Sequence, residues 1–127
     1  MFNTLSHKDN VRNRIAVIDD EYDLANLFGE FLKSGGYDVD IFTDSSQALE
    51  KIRSAHQSYA LVLTDVRMPI ISGVDLGKKI LEVDNKIKVI LISAFELIDG
   101  AGFQFIKKPI ELTKLSQFVR KKLDEDT

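Results

Sequence analysis

RIAVIDDEYDLANLF, residues 14–28, joins a short apolar run to three consecutive acids, Asp19, Asp20 and Glu21, and then to a helical pattern. Residues 14–19 are rich in β-branched side chains and read as a strand. Beyond the acids, Leu24, Leu27, Phe28, Phe31 and Leu32 fall at i, i+3, i+4, i+7 and i+8, one apolar stripe, and Gly35-Gly36 supplies a stop. A strand that feeds a helix through a short acidic turn is the start of a βαβ alternation.

The same alternation continues outward from that stretch. Apolar runs DVDIF (38–42), ALVLTD (60–65), KVILIS (88–93) and FQFI (103–106) give four more strands. The third and fourth are apolar almost continuously, as expected when both faces of a parallel sheet are covered. A helix opens at Asp44 with Gln47 three residues on, a capping-box-like start, and Ala48, Leu49 and Ile52 form its inner face. Another helix runs over 74–82. The last, over 112–123, presents Leu115, Phe118, Val119 and Leu123 inward. Right-handed crossovers then favour a doubly wound α/β fold, a five-stranded parallel sheet in the order 2-1-3-4-5 with helices on both faces.

Composition limits what such a domain does. At 127 residues with 44% hydrophobic content the chain suits one compact domain, so no separate effector module is expected. The expected organisation is a polar N-terminal tail at 1–13, the folded domain at 14–123 and a short tail at 124–127. A net charge of −3 leaves no electrostatic footprint for nucleic acid or an anionic membrane. The absence of cysteine removes disulfides, thiolate metal sites and thiol nucleophiles. The N-terminal segment MFNTLSHKDNVRNR lacks a signal-peptide apolar core, and no apolar run approaches the ~20 residues that span a bilayer. A cytoplasmic location is the expectation.

In a 2-1-3-4-5 sheet, ligands bind at the carboxyl ends of the strands where the winding reverses, between the first and third. Asp19, Asp20 and Asp65 all fall there. Singly, each acid has an ordinary structural explanation, as a helix-start carboxylate or a loop residue before the Met68-Pro69 and Gly73 turn signals. Together they do not. Two carboxylates ~4 Å apart at an effective dielectric of ~20 repel by ~4 kcal/mol, comparable with the stability margin of a small domain. Hard oxygen donors with no His or Cys nearby suit Mg²⁺, commonly held by one or two carboxylates plus a phosphate. A carboxylate beside such a cation is placed to act as the nucleophile of a phosphoryl transfer. Ser93, ending the fourth strand, and Lys108, following the fifth, come up at the same sheet edge and offer a hydroxyl and an ammonium to a phosphoryl oxygen.

These residues resemble the receiver domains of two-component response regulators, over about residues 14–123. The resemblance is carried by Asp19-Asp20, by LVLTDVRMPIISG (61–73), by ISA (92–94) and by KP (108–109) in this order. It implies a flavodoxin-like three-layer sandwich and a phosphorylation-dependent switch. Asp65 matches the phosphoacceptor, Asp20 the direct Mg²⁺ ligand, and Asp19 the acid that acts mostly through water. Arg67 matches the position whose backbone carbonyl binds the metal. Ser93 matches the switch hydroxyl, Lys108 the phosphate-pairing lysine, and Phe105 the aromatic that changes rotamer. The Lys108-Pro109 peptide is expected to be cis. The implied donor is a phosphohistidine on a sensor histidine kinase or phosphotransfer protein, and the implied catalysis is confined to the chain's own phosphotransfer and dephosphorylation. Arg67 and Phe95, flanking the site, would slow attack by water.

The chain departs from that family between Ser93 and Lys108, where residues 94–107 leave no room for a full fourth helix. FELIDG (95–100) forms one turn at most. The shortening is expected to uncover apolar side chains of the fourth and fifth strands, unless Phe95, Leu97 and Ile98 cover them, and the patch would serve an unknown downstream protein or a homodimer. Three rivals remain: an unphosphorylated receiver-like adaptor, which would lose an essential residue; a flavodoxin, whose flavin phosphate these acids would repel; and a haloacid-dehalogenase-type phosphatase, which needs Asp-x-Asp and a longer chain. The basic segments KKPIELTK and RKK (120–122) read as solvated helix-flanking charge, so output is expected through protein contact and not through nucleic acid or membrane.

Overall fold

The computed structural model describes residues 12–95 and 100–125. Five strands, β1 (Arg14–Ile18), β2 (Asp38–Phe42), β3 (Tyr59–Asp65), β4 (Lys88–Ser93) and β5 (Gln104–Lys107), pair in parallel in the order β2-β1-β3-β4-β5. Among the described residues the α-helices are four, α1 (Tyr22–Ser34), α2 (Ser45–Ser54), α3 (Gly73–Val83) and α4 (Leu112–Asp124), with one 3-10 turn at His56–Ser58 before β3.

Alternation along the strands sorts the core onto two faces. Ile15 and Val17, Leu61 and Leu63, and Ile90 and Ile92 face α1 and α4, against Phe28, Leu32, Leu115 and Val119. Ala16 and Ile18, Val62, and Val89 and Leu91 face α2 and α3, against Leu49, Ile52, Leu76 and Ile80. This two-sided burial is why the central strands read as unbroken apolar runs. Asp44 caps α2, its Oδ1 accepting from the Ser46 and Gln47 amides at 2.8 and 3.1 Å. Ser72 caps α3 through the Asp75 amide at 3.2 Å. The stop after α1 is made at Gly36, whose φ of 101° closes the helix end.

The expected inner faces are too wide in two places. Leu27 is 50% exposed and Phe118 38%; each lies at the margin of its stripe, where α1 and α4 have no further layer to bury them. β5 begins one residue later than expected, at Gln104, with Phe103 just ahead of it.

The expected uncovering of β4 does not occur. Val89 and Leu91 are buried, and Phe103 packs on the same face: an added Cβ at Gly77 of α3 would meet the Phe103 ring at 2.9 Å and Val89 Cγ1 at 3.2 Å. The bare helix backbone at Gly77 gives the ring a seat. Phe103 and Phe105 are themselves half-buried on this face. Leu97 and Ile98, and with them most of the expected short turn, lie outside the described residues. No helix among the described residues is long and apolar enough to cross a membrane.

Candidate functional site

The winding reverses at β1 and β3, and the acids stand at their carboxyl ends. Asp19 directly follows β1, its amide bonded to the Phe42 carbonyl at 3.0 Å. Its side chain is buried with one partner on each oxygen: Oδ1 accepts from the Glu21 amide at 3.0 Å and Oδ2 from Lys108 Nζ at 2.9 Å. Asp20 is exposed. Asp65 ends β3, buried at 8% exposure. One carboxylate oxygen from each of Asp19, Asp20 and Asp65 lies within 4.8 Å of the other two.

Lys108 enters this cluster from the segment after β5. Its amide donates to the Ser93 carbonyl at 2.8 Å, its peptide bond to Pro109 is cis, and its Nζ stands 3.4 Å from Asp65 Oδ1. One ammonium against three carboxylates leaves the site strongly negative. Burial, and then the neighbouring Asp19 charge, raise the Asp65 carboxyl above its ordinary range, and Lys108 offsets this only in part. Burial disfavours the charged Lys108, but its hydrogen bond to Asp19 and the charges of Asp19 and Asp65 outweigh that and hold it above the usual lysine range.

The backbone around Asp65 is fixed closely. The Thr64 hydroxyl donates to the Asp65 carbonyl at 3.0 Å, and the Val66 amide bonds to Ile92 of β4 at 3.2 Å. Gly73 lies against the same carbonyl, where an added Cβ would stand 2.1 Å from Asp65 O. No other residue type fits there without moving the acid.

Ser93 is buried at the end of β4, next to β3, and its Oγ accepts from the Phe95 amide at 3.1 Å. Arg67 and Phe95 meet over the loops, with Arg67 Cζ 4.1 Å from the Phe95 ring centroid. Phe105 pairs in register with Leu91 and packs on the α2 and α3 side of the sheet.

The donor set suits a hard divalent cation: carboxylate oxygens only, one exposed, in a cluster that one ammonium leaves under-neutralised. Away from the acids, a groove of about 710 Å³ lies along α2, lined by Ser46, Glu50, Arg53 and Ile71.

The response regulator receiver domain model matches residues 15–120. The chain belongs to the response regulator receiver domain family. It is 34% identical over 110 residues to the chemotaxis protein CheY of Treponema pallidum, covering 80% of this chain and 76% of that one. Other curated relatives are longer: the chain spans 52% of a DNA-binding response regulator of Mycolicibacterium smegmatis and 15% of a 3',5'-cyclic-nucleotide phosphodiesterase of Dictyostelium discoideum. A CheY-like receiver domain structure from Methanospirillum hungatei superposes with a TM-score of 0.83 at 25% identity, over 91% of this chain and 96% of that one. The response regulator TrrA of Thermotoga maritima, solved with Mg²⁺ and a beryllium fluoride, gives 0.77 at 30% identity over 86% and 97%. Receiver domains are the phosphorylation-dependent switches of two-component signalling. They bind Mg²⁺ in an acidic pocket and interact with histidine kinases or phosphotransfer proteins.

The sequence brings out the three acids and Lys108 as one group, and they meet. It does not foresee that Lys108 already pairs with Asp19, since an ammonium after a strand carries no sign of which acid it reaches. Gly73's contact with Asp65 and the hydrogen bonds of Ser45 to Pro69 and Ile71 were also invisible; only the turn signals around Pro69 mark that loop.

Proposed function

We propose that this receiver domain takes a phosphoryl group onto Asp65 from a phosphohistidine of a sensor histidine kinase or phosphotransfer protein. Asp19, Asp20, Asp65 and the Arg67 carbonyl would hold Mg²⁺. When bound there, the cation supplies charge neutralisation for the incoming phosphoryl oxygens and a fixed geometry for in-line displacement.

The chain's own groups do the rest. An Asp65 carboxylate oxygen attacks phosphorus and the P–N bond breaks, its electron pair returning to the ring nitrogen of a phosphohistidine already protonated on its other nitrogen, so that neutral imidazole leaves and a mixed anhydride stands on Asp65. Lys108 offsets part of the burial and Asp19 charge that disfavour the Asp65 carboxylate, and then pairs with a phosphoryl oxygen. Ser93, whose lone pair is engaged by the Phe95 amide, keeps its hydroxyl hydrogen to donate to another. Movement of Ser93 toward the new dianion opens space beside β5 into which Phe105 turns, changing the surface that a downstream protein reads. Water attacking phosphorus then breaks the anhydride, restoring the carboxylate and releasing inorganic phosphate. We place this chemistry in the cytoplasm, at the domain of residues 14–123, with output through protein contact and a homodimer as one form of it.

The observation that carries the reading is the cluster of three carboxylates with Lys108 Nζ 3.4 Å from Asp65. Incubation with Mg²⁺ and acetyl phosphate, followed by intact mass measurement, tests it. A base-labile phosphoryl adduct on wild type and none on Asp65→Asn is expected; an adduct of equal yield on the variant moves the acceptor elsewhere.

A further inference from the structure

Between Asp65 and α3 the chain passes through residues 66–72, a loop tied at its two ends. The Val66 amide bonds to the Ile92 carbonyl, and the Gly73 amide returns to the Val66 carbonyl at 2.8 Å. Midway, the Ile71 amide donates to the Pro69 carbonyl at 2.7 Å across Ile70, which has φ 70°. This is the rarer, strained form of the γ-turn. It is a poor place for a β-branched residue, which meets steric conflict at positive φ. Burial of the side chain does not repay that strain, because Ile70 is 79% exposed. A conformation of this kind persists only when its surroundings over-determine it.

Val66, Met68 and Ile71 pack against the core beside the turn, and among the described residues one side-chain hydroxyl, that of Ser45, hydrogen-bonds the turn itself. Ser45 opens α2, yet it does not cap the helix, since Asp44 takes the free amides there. Its side chain is buried and turned to the neighbouring loop instead: Oγ donates to the Pro69 carbonyl at 3.0 Å and accepts from the Ile71 amide at 3.3 Å. A single hydroxyl therefore grips both ends of the turn, using its donor and an acceptor site at once.

We propose that Ser45 is a positioning residue for the acceptor site, holding the turn so that the Arg67 carbonyl stays where a bound divalent cation can use it. The inference rests on the role given to Arg67 above. Pro69 has a fixed φ, so release of its carbonyl by loss of Ser45 is passed back along the short segment to Arg67. Without the hydroxyl, Ile70 relaxes to negative φ and the loop no longer presents one arrangement.

The test is Mg²⁺ titration of the unphosphorylated protein by calorimetry, together with amide exchange at Ile71. Ser45→Ala is expected to weaken Mg²⁺ by about tenfold, the scale on which groups that orient metal ligands act, with faster exchange at Ile71 and unchanged exchange in β1, β3 and β4. Ser45→Cys, which keeps the branching of the side chain and weakens both hydrogen bonds, is expected to fall between. Adding Ile70→Gly to Ser45→Ala removes the strain, since glycine adopts φ 70° freely, and is expected to restore most of the affinity. Equal affinity in wild type and Ser45→Ala overturns the inference alone, as does loss of affinity accompanied by faster exchange throughout the sheet. If wild type takes up no Mg²⁺, the reading of the site fails and this inference with it.

Discussion

Lys108 Nζ lies closer to Asp19 than to Asp65, 2.9 Å from one carboxylate and 3.4 Å from the other. The ammonium thus stands as the resident counter-charge of the acid cluster before any phosphoryl group arrives. Lys108→Ala leaves the buried Asp19 with its Oδ2 unpaired, and breaking such a pair from one side costs about 3 kcal/mol. The same change makes the site one unit more negative, so a divalent cation gains more there. Urea unfolding with and without Mg²⁺ separates the two effects: Lys108→Ala is expected to be less stable without the ion and to recover more stability on its addition than wild type does. An equal Mg²⁺-induced gain in both proteins would show that Lys108 does not share the cation's place in the charge balance.

Arg67 and Phe95 come from the loops after β3 and β4, the strands that end at Asp65 and Ser93, and Arg67 Cζ stands 4.1 Å from the Phe95 ring centroid. We propose that this pair restricts attack by water on a phosphorylated Asp65. A cation–π pair at this exposure is worth about 0.5–1 kcal/mol, which bounds the effect of losing it to about two- to fivefold in the open population. Arg67→Ala and Phe95→Ala are each expected to shorten the lifetime of the phosphoryl adduct by that factor, and the double variant by no more than either alone. The decay of the intact-mass adduct after removal of the donor measures this, and an unchanged decay in Arg67→Ala would remove the pair from the account.

The βαβ alternation was legible in the sequence because strands buried on both faces leave unbroken apolar runs, and helices with one buried face leave a stripe. What those patterns do not carry is the width of the cover over each stripe. Leu27 and Phe118 look like core from spacing alone and are partly open because no element packs beyond them. The three acids were legible because strand ends at a winding reversal converge whatever the side chains do. Ser45 was not: a serine at a helix start ordinarily caps it, and only the loop's position across α2 gives it a different partner. The seat of Phe103 on Gly77 was equally hidden, since a missing side chain matters only when one knows what lies against it.

That seat makes a prediction of opposite sign in two backgrounds. Alanine in place of glycine inside a helix is favourable by about 0.5–1 kcal/mol from chain entropy alone. At Gly77 the new methyl would press on the Phe103 ring and on Val89, and overpacking of a filled core costs about 1–3 kcal/mol. Gly77→Ala is therefore expected to destabilise wild type by about 1 kcal/mol and to stabilise a Phe103→Ala protein by about as much. A double-mutant cycle from denaturant midpoints reads the coupling. The same sign in both backgrounds would mean that Phe103 is not seated on Gly77.

At the opposite end of the sheet from the acids, Asp84 follows α3 and accepts from Arg12 at 2.8 Å and His56 Nδ1 at 2.7 Å through one oxygen, and from the Lys86 amide at 3.1 Å through the other. Burial pushes this carboxyl upward, but the hydrogen bonds from His56, Arg12 and Lys86 outweigh it and hold the group at about 2, below its ordinary 3.8. A carboxyl depressed by folding takes up its proton first in the unfolded chain. The stability it contributes is therefore complete above about pH 4 and is lost as the pH falls toward 2. Asp84→Asn has no such proton to take up, so the difference in denaturant midpoint between wild type and variant is expected to be full at about pH 5 and to close between about pH 4 and 2. A difference that stays constant across that window, or widens toward low pH, would show that Arg12 and His56 do not hold Asp84 as an anion in the folded protein.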